Sequence, residues 1–179
     1  MLLTVFSQVS LLLTLTIHAA IIPDDRPEVI PGPGLPSLES LNLTSADLYE
    51  LPLPGGSTAQ ITTSDNELAC GPEDSAYTSV ENLIVCYHYL RSLGRTPCEF
   101  ENREARALCW HGIDTVVVGI GRTGGHESSY CIDVAVGILA GIDGCTRPDG
   151  RCAGFAVANG NANIMVGGTN AGYQRHRWS

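Results

Sequence analysis

The chain has 179 residues, enough for one ordinary domain with length to spare, and 44% of them are apolar, which excludes a wholly disordered polymer. Seven cysteines are far more than a cytosolic domain of this size carries and point to an oxidising compartment. The net charge of −9 is uneven: residues 21–69 hold eight acidic side chains against Arg26 alone, whereas Cys70 to Ser179 hold eleven against nine arginines. The acidity belongs to the leader and says little about any partner of the Cys-bearing part.

In chain order, Met1 to Ile17 forms an apolar run centred on Leu11, Leu12 and Leu13, followed by His18, Ala19 and Ala20. Small residues at that point suit signal-peptidase cleavage, so residues 1–20 read as a signal peptide and the product as secreted, although no Lys or Arg precedes the run. Ser7, Gln8, Ser10, Thr14 and Thr16 interrupt it too often for a membrane span, and no stable membrane insertion is expected. Residues 21–69 carry Pro23, Pro27, Pro31, Pro33, Pro36, Pro52 and Pro54 and no Cys. Proline removes backbone donors and opposes helix, so this acidic leader is expected to be extended, solvated and disordered. It offers no dibasic processing site, and Asn42-Leu43-Thr44 is an N-glycosylation acceptor.

The Cys-rich domain runs from residue 70 to 179. Val80, Leu83, Ile84, Tyr87 and Leu90 recur at helical spacing and predict a helix over Ser75 to Leu93, stopped by Gly94 and Pro97. Ala105 to His111 and the β-branched Thr115 to Ile120 predict two strands around a turn at Gly112 and Asp114. A second helix is expected over Ser129 to Gly144, with Ser128 or Ser129 as N-cap. Ala153 to Ala158 and Ala162 to Gly168 flank Asn159-Gly160, the pair preferred in a type I′ hairpin turn. The expected fold class is α+β: a disulfide-stabilised two-layer α/β sandwich, αββαββ, whose antiparallel four-stranded sheet carries both helices on one face. That order is a circular permutation of the ferredoxin-like plan.

Seven cysteines (Cys70, Cys86, Cys98, Cys109, Cys131, Cys145 and Cys152) imply three bridges and one free thiol, with pairing open among 105 arrangements. No Cys-x-x-Cys pair exists to build a zinc site, so no metal and no cofactor are expected. Gly119-Ile-Gly-Arg-Thr-Gly124 matches a dinucleotide fingerprint in letters, but a hairpin-linked strand lacks the parallel βαβ unit, and a glycine-rich loop is expected instead. His126 with Ser128 and Ser129 lacks the nucleophile elbow of a hydrolase. A fungal-type ribonuclease would use Glu, Arg and His on sheet strands, and Glu104, Arg106 and His111 could be arranged so. The tail Tyr173 to Ser179 has two arginines, too few to argue for nucleic acid, and is expected to fray.

A resemblance adds to this reading. The helix with Cys86, Ala107-Leu108-Cys109 entering a strand, the Cys-bracketed helix Cys131-Ile-Asp-Val-Ala to Asp143-Gly-Cys145, and Gly154-Phe-Ala to Val166 are together similar to the fungal killer-toxin-like secreted proteins. That group includes the killer toxins of smut fungi and necrosis-inducing effectors of plant pathogens. The resemblance spans about residues 70 to 170. It implies a compact α/β sandwich and a secreted, non-enzymatic effector or virulence role against another organism, through an extracellular protein or cell-surface partner. The absence of lysine departs from the toxins. A small secreted hydrolase, most plausibly a ribonuclease, is the alternative.

Overall fold

A computed structural model of the chain describes residues 26–54 and 68–177, with side chains as far as residue 174. The expected signal peptide lies outside the described residues. In chain order the strands are β1 (Val29–Pro31), β2 (Ala69–Cys70), β3 (Thr78–Ser79), β4 (Pro97–Phe100), β5 (Arg106–His111), β6 (Thr115–Gly121), β7 (Glu127–Tyr130), β8 (Arg151–Cys152), β9 (Gly154–Ala158) and β10 (Asn161–Asn170). The α-helices are α1 (Ser45–Tyr49), α2 (Val80–Ser92), α3 (Cys131–Cys145) and α4 (Ala171–Arg177).

The protein is α+β, with an antiparallel sheet as expected, but the sheet has six strands where four were expected, in the order β1-β5-β6-β10-β9-β2. The two predicted hairpins, β5–β6 and β9–β10, sit back to back through an antiparallel β6–β10 pair. The two extra strands come from outside the region read as β-forming: β1 pairs with β5, and β2 pairs with β9. Helices α2 and α3 pack against each other and against the sheet, burying Leu83, Cys86, Leu90, Val134, Ile138 and Ile142 with Val117, Ile164 and Val166. Contact between α3 and the sheet is close enough to require glycine at both sides. A Cβ on Gly141 would stand 2.8 Å from the Gly154 backbone, and one on Gly137 would stand 2.7 Å from the Val157 carbonyl oxygen.

Over residues 26–54 the leader is not the solvated chain that its prolines suggested. Val29 donates its N–H to Ser45 Oγ at 2.9 Å, and Leu48 is completely buried among residues of the main core. The prolines are compatible with this because β1 is an edge strand of three residues, where a missing donor costs no ladder bond. Gly32 then passes so close to β5 that a Cβ would lie 2.1 Å from Ala107 O. Helix α1 starts at a capping box in which Thr44 and Asp47 each satisfy the other's backbone N–H.

Other boundaries shift for local reasons. Helix α2 begins at Val80 rather than Ser75, because Thr78 and Ser79 pair with Cys152 and Arg151. It does stop at Gly94, with φ +55. Helix α3 begins at Cys131, and neither Ser128 nor Ser129 caps it: both belong to β7, which pairs with β4 in a separate two-stranded ribbon. The carbonyls of Thr96 and Gly94 accept from Cys131 N–H and Ile132 N–H instead, satisfying two donors that the helix leaves free. At Asn159-Gly160 the hairpin forms without a type I′ turn. Only Gly160 has positive φ (+77), because the Asn159 amide and side chain are both held by Asp133. Of the tail expected to fray, Tyr173 to Arg177 fall in α4, with Tyr173 packed against Ala76, Tyr77 and Ala153, and residues 178–179 lie outside the described residues.

Candidate functional site

The three bridges are Cys70–Cys145, Cys86–Cys109 and Cys98–Cys131, with Cα separations of 5.4, 5.8 and 5.1 Å. They tie β2 to the end of α3, α2 to β5, and β4 to the start of α3. Cys152 is the free thiol, buried near the Gly141 carbonyl, and burial pushes its pKa up to about 11. A thiol so protonated and enclosed is a poor nucleophile. Asn42 is exposed at the end of a short 3-10 turn, in left-handed backbone, and Thr44 of its acceptor triplet holds the α1 capping box.

Glu104, Arg106 and His111 do not converge. Glu104 is exposed on a turn. The two terminal nitrogens of Arg106 donate to Glu99 O at 2.6 Å and to Pro33 O at 2.7 Å. His111 is fully buried beneath Tyr49, whose hydroxyl hydrogen-bonds its Nε2, while its Nδ1 has no partner. Burial lowers the His111 pKa, so the ring stays neutral and closed to substrate.

His126 and the serines also fail to assemble a nucleophile. His126 Nδ1 meets Glu101 Oε1 at 2.6 Å, and its Nε2 lies 4.0 Å from Glu99, on side chains that are all about half exposed. The Glu101 hydrogen bond and charge raise its pKa. Ser128 and Ser129 are engaged in β7 opposite Glu99 and Cys98, and Ser129 Oγ donates to Asn159 O. Gly119 and Gly121 lie within β6 rather than in a loop, and β7 intervenes before α3. Their lack of a side chain makes room for the ribbon: a Cβ on Gly119 would stand 2.3 Å from the Phe100 ring. Among the described residues, no group of three His, Cys, Asp or Glu side chains is placed to hold a metal ion.

The feature that the residue motifs missed lies on the sheet face opposite α2 and α3. Register puts Ile30, Trp110 and Val116 in one cross-strand row, with Ala107 and Val118 paired in the next. Strand alternation sends Val29 and Val117 into the core, and a register irregularity between Ala107 and Cys109 turns both Leu108 and Cys109 inward, so that Ala107 and Trp110 share the outer face. The row floors a depression of about 810 Å³, bounded by α4 at Ala171 and by the β5–β6 turn. Ile30 is 51% exposed and Ile113, at the tip of that turn, 89%. Across Trp110 a second depression of about 740 Å³ shares Glu104, Ala105, Ala107 and Trp110 with the first, and adds Pro33, Glu99 and Glu101. A large aliphatic side chain at a hairpin tip, Gly112-Ile113-Asp114, was the available sequence signal.

No curated protein and no solved structure matches the chain. A family model matches residues 65–168, which is more than half of the chain and includes all seven cysteines, α2, α3 and four of the six strands of the main sheet whole. The chain belongs to the family described as Domain of unknown function (DUF8794).

Proposed function

We propose that the protein is a secreted, non-enzymatic effector or toxin-like protein that binds a partner outside the producing cell, on another organism or a host surface. The single observation that carries this reading is the apolar sheet face around Trp110, which is open among the described residues, on a frame stapled by three disulfides. Apolar patches rimmed by polar residues are where partners commonly dock. Secretion is supported by the apolar run from Met1 to Ile17 and by the disulfides, which persist in oxidising compartments. Among the described residues no helix is long and apolar enough to cross a membrane. The similarity to killer-toxin-like proteins supplies the direction of action, and Asn42 is the proposed glycan site.

Against a ribonuclease stands the burial of His111, outside the depression that Glu104 and Arg106 line together, while the exposed His126–Glu101 pair has no nucleophile beside it. The test uses the full-length secreted protein. It should bind intact cells of a susceptible species saturably, lose that binding in Trp110→Ala, and leave RNA and cell-wall glycans uncut. Saturable hydrolysis of either polymer, abolished in His126→Ala with the fold retained, would overturn the reading.

A further inference from the structure

We propose that the uncovered face recognises an extended peptide segment of a protein partner, with apolar side chains against Trp110 and a Lys or Arg in the acidic depression beside it. The inference rests on the secreted-binder reading and adds the chemistry of the occupant.

The two depressions are one strip with two characters. On one side of Trp110 the walls are Ile30, Ile113, Val116 and Val118; on the other, the charged residues are Glu99, Glu101, Glu104 and Arg106. Three carboxylates thus face one guanidinium, and both terminal nitrogens of that guanidinium are already committed to backbone carbonyls. His126 meets Glu101 at 2.6 Å and lies 4.0 Å from Glu99, whereas the Glu104 carboxylate makes no hydrogen bond or ion pair among the described residues. The rim on the apolar side holds one charge of each sign, Arg103 and Glu104. A ligand whose apolar end lies by Ile113 and whose cationic end lies by Glu104 matches both halves, and complementary charge selects its direction.

The strip's length selects a peptide over a compact molecule. Strand β5, which runs under it, has six residues and spans about 17 Å at the usual rise per residue. An extended peptide of about five or six residues has the same reach, and its alternate side chains point to one face. The acidic end is held in place rather than loose. Asn102 and Arg103 both adopt left-handed backbone (φ 52 and 61), and the turn is tied by Asn102 N–H to Gly125 O and by Arg103 Nε to Arg122 O. Consecutive non-glycine residues in that region persist only where their surroundings hold them.

Charge also argues against other occupants. Two copies paired through this face would set the carboxylates Glu99, Glu101 and Glu104 of one strip against those of the other. The chain's own Ile21 to Asp25 would bring Asp24 and Asp25. An anionic lipid surface would be repelled by the same carboxylates.

The experiment uses full-length protein carrying Trp178→Phe, which leaves Trp110 as the single tryptophan reporter. Three blocked hexapeptides are titrated: Leu-Val-Leu-Lys-Arg-Lys, Leu-Val-Leu-Glu-Asp-Glu and Ser-Ser-Ser-Lys-Arg-Lys. The first should shift Trp110 emission saturably and bind at least ten-fold tighter than the other two. Glu99→Lys with Glu104→Lys should reverse the preference between the first two, and Trp110→Ala, checked for fold by circular dichroism, should lose calorimetric binding. Equal binding of all three peptides, no binding of any, indifference to the charge reversal, or tighter binding to phosphatidylglycerol vesicles than to the first peptide would each overturn the proposal. Cell binding of Trp110→Ala separates the two levels. If it is lost while the peptides show no preference, the peptide class fails and the secreted-binder reading stands; if it is retained, that reading fails as well.

Discussion

His111 and His88 are both buried imidazoles with one nitrogen lacking a partner, Nδ1 in the first and Nε2 in the second. Burial lowers both pKa values; Asp114 and Glu81 oppose the shift at His111, and Arg91 adds to it at His88. Each ring therefore charges less readily in the fold than in the unfolded chain, whose reference value is about 6.5. The unfolded state binds more protons in this window, so stability is full above about pH 6.5 and falls as pH drops toward the lowered folded values. The slope is at most about 1.4 kcal/mol per pH unit for each ring. His126 has the opposite sign: its raised pKa adds stability below about 6.5 that is lost as pH rises through the folded value, and exposure to solvent screens it. We expect the urea midpoint to fall between pH 7 and 5, and to keep falling in His126→Gln. A flat midpoint across that range would show that neither buried ring resists protonation.

At the scale of elements, periodicity located the centre of each helix and strand but not its ends. The stripe Val80, Leu83, Tyr87, Leu90 is visible because one helix face meets the sheet, whereas the start of α2 depends on Thr78 pairing with Cys152, some seventy residues away. The β4–β7 ribbon escaped notice for the same reason: Pro97–Phe100 and Glu127–Tyr130 have little strand character alone, and their pairing is joined to α3 through Cys98–Cys131. The β1–α1 segment was misread because its composition reflects an edge position rather than disorder. Tyr49 reaches His111, and Arg26 lies over the Tyr49 ring at 4.4 Å, so this segment roofs the rim of the sheet. Leu48 is its anchor. Leu48→Ala should cost about 2–5 kcal/mol, the usual range for a fully buried leucine, seen as a lower urea midpoint with native far-UV dichroism. A loss below about 1 kcal/mol would show that the segment only rests on the domain.

For the whole molecule, the covalent frame makes the most direct prediction. Alkylation with iodoacetamide, read by intact mass, should add no label to the native protein, one in guanidinium without reductant, and seven after reduction. Two or more labels before reduction would contradict three bridges. By itself the sequence determined the α+β class, both hairpins, both long helices and the presence of one odd cysteine. The first three follow from local periodicity and turn residues, and the odd cysteine from parity over the whole chain. Tertiary structure alone decided which cysteine stays free, that residues 29–31 and 69–70 extend the sheet to six strands, and that Trp110 and Ile113 stand on its open side. Those outcomes depend on long-range register. A strand pattern alternates between two faces, but only the elements packed on one of them determine which face is the core and which is left to meet a partner.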